Sequence, residues 1–151
     1  KLKLSFIAAR TTAAAGADCA ADRDAAVKAI KTDWERTLMS TVVFYANDAA
    51  KKLTVDPPTD DDVAGSLHSM GGRVAFVHGY RQIDSAERTL TDQDIDDLLA
   101  LLGAPATGDA TSYKYATETA TEVGKLPQVS AKLKAIYGFT DVEMEQFKVA
   151  Y

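Results

Sequence analysis

The sequence is poor in the residues that staple, span or react. It has one cysteine, Cys19, in 151 residues, so no disulfide within the chain and no cysteine-based zinc site can be built, and the usual clue to redox compartment is missing. It has one tryptophan and four prolines. The longest stretches without a charge, Thr37 to Asn47 and Leu98 to Gly108, hold 11 residues each, against the roughly 20 that cross a bilayer. The expectation is a soluble, or at most peripheral, protein. Basic residues are outnumbered 17 to 22, for a net charge of −5. That balance argues against nucleic acid or an anionic membrane as the main partner, since both recruit clustered Lys and Arg.

Alanine is what the chain has in plenty, 26 in all, clustered where the apolar pattern is helical. A chain of this length buries roughly 68–70% of its unfolded surface, enough for one domain without staples. The fold expected is all-α: an antiparallel helical bundle with two long helices and four or five shorter ones, formed by residues 1–151 as a single domain. Asp22 to Leu53 carries Val27, Ile30, Trp34, Leu38, Val42, Tyr45, Ala49 and Leu53 at alternating spacings of three and four, one apolar stripe. Asp24, Lys28, Lys31, Glu35 and Lys51 make its polar face. Pro57 and Pro58 stop this helix, and Thr59 caps a second that runs to about Ile83. Thr91 caps a third, with Asp92 and Asp94 at the positive end of its dipole, ending at Gly103 and Pro105. Gly103 to Ser112 reads as a loop, Tyr113 to Val123 as a short helix, and Pro127 to Gly138 as another. Thr140-Asp-Val-Glu143 is a capping box for the last. The start, Lys1 to Ala9, has the basic and apolar parts of a secretory signal, but Arg10 and two threonines break it and an amphipathic first helix is expected. A start at Lys1 suits a processed form or a stretch of something longer.

Chemistry-bearing motifs fail one after another. Asp92, Asp94 and Asp96 stand where an EF-hand needs acids, but Asp97 replaces the turn glycine and Gly103 the bidentate glutamate. There is no Gly-x-Ser-x-Gly, and Gly71-Gly72-Arg73 lacks the Lys and Ser/Thr of a phosphate loop. His68 and His78 lie ten residues apart, which on one helix separates them by about 15 Å and about 80°. They cannot share an ion, and neither has a histidine or carboxylate three or four residues on. Gly71, Ala75 and Gly79 recur every fourth residue and leave a stripe without side chains. The stripe predicts a helix pressed close, preferably the long first helix, otherwise a subunit interface or ligand cleft.

The segments Leu4-Ser-Phe-Ile-Ala-Ala-Arg10, Val42-Val-Phe-Tyr-Ala-Asn47 and Leu67-His-Ser-Met-Gly-Gly-Arg-Val-Ala-Phe76 resemble, in this order, the carboxy-terminal half of an imelysin-related, all-helical bacterial envelope family of unknown function. A fainter likeness is to algal low-iron-inducible periplasmic proteins. These resemblances imply an extracytoplasmic, periplasmic or lumenal setting and an association with iron. His68 matches the family's histidine and Phe76 its aromatic position. The glutamate that the family places four residues after the histidine is Gly72 here, and the imelysin Gly-x-His-x-x-Glu pattern is absent. Two readings follow. In the first the chain is a non-catalytic structural or accessory subunit, or a binding protein, with a protein partner or larger assembly and with Gly71, Ala75 and Gly79 as its packing or interface stripe. In the second it is an iron-linked binding protein or degenerate imelysin-like peptidase using His68 with Tyr45 or Tyr80, tyrosinate being a hard ligand for ferric iron.

Overall fold

A computed structural model describes residues 2–111 and 113–149; Lys1 and Ser112, which the readings above place at the chain start and the loop end, lie outside them. The described residues form an all-α bundle with no strand. Its helices are α1 (Leu2–Ala15), α2 (Ala20–Leu53), α3 (Asp60–Gly79), α4 (Asp92–Leu101), α5 (Lys114–Thr117), α6 (Thr119–Val123), α7 (Leu126–Tyr137) and α8 (Asp141–Gln146). Two are long. The short helix expected from Tyr113 to Val123 is broken at Glu118, whose φ of −128° and ψ of 42° are not helical. Taken as one interrupted helix, α5 and α6 bring the shorter elements to five.

Local chemistry explains where helices begin and end. The hydroxyls of Thr59, Thr91 and Thr140 each accept from the backbone N–H three residues on, and the carboxylates of Asp62, Asp94 and Glu143 reach back to the threonine N–H groups. Three capping boxes thus satisfy donors that no helix can pair internally. Gly138 ends α7 in the left-handed conformation at φ 59°, which a Cβ would disfavour.

The long helices pair antiparallel. The side chains of Tyr45, Asp48 and Lys52 meet Gly72, Ser69 and Gly65 in turn, and each pair's residue numbers add to the same value. α2 is the central element, packed on α3, α1 and α7, while α4 closes the far side against α3 and α7. Met39, Val42, Ala46 and Ala49 of α2 meet the core side chains Val77, Ile95, Leu98, Val129 and Leu133, all of them 1% exposed or less. Burying one such Leu, Ile or Val stabilises the fold by about 1.5–3 kcal/mol.

The buried row of α2 is not the expected stripe. Val42, Ala49 and Leu53 are buried as predicted, but Trp34 is 53% exposed and Val27 is 39% exposed, while Glu35, assigned to the polar face, is buried at 2%. The antiparallel register supplies the reason: carried on, it sets the end of α3 opposite Leu38. Upstream of that point α2 has no α3 across it, and the residues that bury Glu35 come from elsewhere.

Candidate functional site

The site is built around Glu35. Its Oε1 accepts from the backbone N–H groups of Thr89 and Leu90, both at 3.0 Å, and from the Tyr137 hydroxyl at 2.7 Å. Its Oε2 accepts from Thr89 N–H at 2.8 Å. Three neutral groups therefore hold one buried anion, and they tie α2 to the segment before α4 and to the end of α7. No cation pairs with Glu35 among the described residues. The next helical turn upstream offers Lys31, but its ammonium is bound to Glu87. Beside Glu35, burial first and the carboxylate's charge second push the Tyr80 hydroxyl up to about 12. Burial, then the hydrogen bond to Glu35, pushes Tyr137 up further. Both phenols are held in the protonated form at neutral pH.

A second buried polar group lies on α3. Arg73 is wholly buried, with its guanidinium 5.5 Å from the centre of the Tyr115 ring and one N–H 3.4 Å from the carbonyl of Tyr45. Its Nε and Nη2, the Tyr115 hydroxyl and Glu122 Oε2 have no partner among the described residues. Desolvation holds the Arg73 guanidinium below its usual range, opposed by Tyr115 and Asp48. Buried charge without full pairing is costly.

Of the residues singled out in the sequence as ligands, Tyr80 lies apart from His68. His68 is exposed on α3. Tyr80 follows the end of that helix, about 18 Å from His68 along the axis at 1.5 Å per residue. Tyr45 is half-buried, stacked on Phe76 with ring centres 6.3 Å apart and planes 4° apart. The three do not converge on one point, and no group of three or more His, Cys, Asp or Glu able to hold a metal occurs among the described residues.

The stripe of Gly71, Ala75 and Gly79 is exposed, and a Cβ built on either glycine meets nothing within 4 Å. Packing of the long first helix there is not what the fold shows. The glycine under pressure is Gly72, where a Cβ would stand 3.0 Å from the Tyr45 ring. α2 faces the side of α3 that carries Gly65, Ser69 and Gly72, about 100° around from the stripe. The stripe instead floors an open apolar groove of about 680 Å³, whose other wall is Ala104, Ala110 and Tyr113.

No protein-family model, curated protein or solved structure matches this chain. The likeness to imelysin relatives therefore rests on the residues quoted for it.

Sequence reasoning missed Glu35 and Arg73. For Arg73 one signal was present, an arginine spaced three and four residues from the apolar Met70 and Val77; for Glu35, which stands among Lys31, Asp33 and Arg36, there was none. The spacing at Arg73 does not say what buries it.

Proposed function

We propose that the chain is a non-catalytic helical binding domain that acts as an accessory subunit, joining a larger assembly through the outer face of α1. The observation that carries this reading is that α1 has no buried residue. A surface helix ordinarily buries one apolar stripe. Here the half-buried side of α1 is made of Leu2, Ser5, Ala9 and Thr12, while Leu4, Phe6 and Ile7 are 70%, 52% and 51% exposed. Phe6 and Ile7 share one face with Lys3 and Arg10, and α1 has no acid. Exposed apolar surface beside charge of one sign marks an interaction site, and it suits a protein surface that sets carboxylates among apolar side chains. The lack of any complete catalytic set in the sequence agrees with binding as the role.

In an extract of its source, the full chain is expected to migrate well above its own 16.2 kDa by size-exclusion with light scattering. Phe6→Asp and Ile7→Asp should return it to monomer mass with the helical circular-dichroism signal unchanged. A wild-type chain that runs as a free monomer there, with a photo-crosslinker at position 7 capturing nothing, rejects the reading.

A further inference from the structure

The geometry points to a second, separate site: a pocket beside Glu35 that takes a primary alkylammonium. A cavity of about 210 Å³ opens between the outer turns of α2 and the segment after α3. Glu35 lies at its floor with the Tyr80 ring, Ile30, Trp34 and Ile83 form its walls, and the Lys31–Glu87 ion pair sits at the rim.

Three features select the ligand class. The first is charge. Glu35 is 2% exposed, hydrogen-bonded only to neutral donors and without a counter-ion among the described residues, and a buried carboxylate is ordinarily paired. With Lys31 and Glu87 cancelling, the pocket carries one net negative charge. The second is hydrogen bonding. A carboxylate has about four acceptor sites, two on each oxygen; Leu90 N–H and the Tyr137 hydroxyl fill Oε1, whereas Oε2 has only the Thr89 N–H, which it shares with Oε1. Oε2 therefore keeps room for an N–H donor, which a primary ammonium has and a quaternary one lacks. The third is shape. Trp34 and Tyr80 offer aromatic rings, whose faces attract cations, and Ile30 and Ile83 offer room for a short hydrocarbon stem. The same chemistry is presented by a free small amine and by a lysine side chain of a protein.

Trp34 is the chain's single tryptophan, so the pocket reports on itself. Titrating the full chain with n-butylammonium is expected to give a saturable change in Trp34 emission in the millimolar range. The amide shifts of Thr89 and Leu90, which donate to Glu35, should move with it. n-Butanol, the neutral analogue of the same size, should give neither. Ile83→Phe, at a position already 42% exposed, should fill the pocket and abolish the response. Glu35→Gln should weaken binding at least about tenfold, and the comparison of ammonium with alcohol on the wild-type chain decides the matter if that variant does not fold. A blocked lysine tripeptide that binds as well as butylammonium assigns the source to a protein side chain; one that does not assigns it to a free amine. Equal responses to butanol and butylammonium, no saturation, or binding that survives Ile83→Phe overturns the proposal. So does binding that appears only in Lys31→Met, since Lys31 would then be the pocket's own cation.

Discussion

Gly71 and Gly72 are adjacent in sequence and opposite in environment. Both sit inside α3, where glycine costs about 1 kcal/mol relative to alanine. At Gly71 an added Cβ meets open space, so Gly71→Ala should stabilise the chain by about 0.5–1 kcal/mol through helix propensity and a restricted unfolded state. At Gly72 the same methyl would press on the Tyr45 ring at 3.0 Å. That ring is held by its stack on Phe76 and by Phe44, whose ring centre is 5.6 Å away. Gly72→Ala should forfeit the gain, and Gly72→Leu should destabilise outright. Urea denaturation of the three variants checks the order, and equal stabilisation by alanine at both positions would show that Tyr45 moves freely. Position 72 therefore has a packing reason to be glycine: a longer side chain would displace Tyr45.

Three of the elements, α3, α4 and α8, begin at capping boxes, and one of these carries a pH signature. The Thr140 backbone N–H, then the Arg36 guanidinium, hold the Glu143 carboxyl at about 2, below its ordinary 4.5. Arg36 also donates to the carbonyl of Tyr137 at the end of α7, so Glu143 helps join α8 to α2. A folded-state pKa below the unfolded one means that stability is fully present above the unfolded value and is lost as pH falls toward the folded one. Acid titration should therefore lower the melting temperature progressively from about pH 4.5 to pH 2, and Glu143→Gln should flatten part of that slope. An unchanged slope in the variant would mean that the carboxylate gains nothing from its partners when the chain folds. Such caps were legible in the sequence because they are local. A threonine followed three residues later by an acid, then an apolar run, contains all the atoms of the motif, and the structure has such boxes at Thr59, Thr91 and Thr140. The burial of Glu35 was not legible for the converse reason: its hydrogen-bond donors lie 54, 55 and 102 residues away. A period of three and four residues places an acid on a face, but only the tertiary path decides whether that face is wet. The stripe of Gly71, Ala75 and Gly79 shows the same limit. Its spacing was real, but which side of α3 meets α2 was set by Tyr45, Asp48 and Lys52 on the other helix.

Over the whole molecule, stability is unevenly shared. The core is contributed mainly by α2 downstream of Glu35, α3, α4 and α7, with Tyr115, Phe139 and Phe147 added from elsewhere, while α1 contributes no buried residue to it. Isolated helices of 14 residues are marginal in water, so α1 owes its order to contact with the outer turns of α2, made apart from Leu2 through the small or polar Ser5, Ala9 and Thr12. Little apolar area is lost when that contact opens, and local opening free energies scale with what is buried. Native-state hydrogen exchange should therefore show the amides of α1 and of Asp22 to Lys31 exchanging through a low-energy opening. The amides of Met39 to Ala49, Val129 to Leu133 and Ile95 to Leu99 should exchange only with global unfolding. An α1 that exchanges as slowly as the core would mean that it is an integral bundle helix and that its exposed Leu4, Phe6 and Ile7 need no partner. Fast exchange that slows selectively in α1 when the chain enters the proposed assembly would locate the docking surface on that helix, because a partner covering those side chains must raise the cost of lifting α1 from α2.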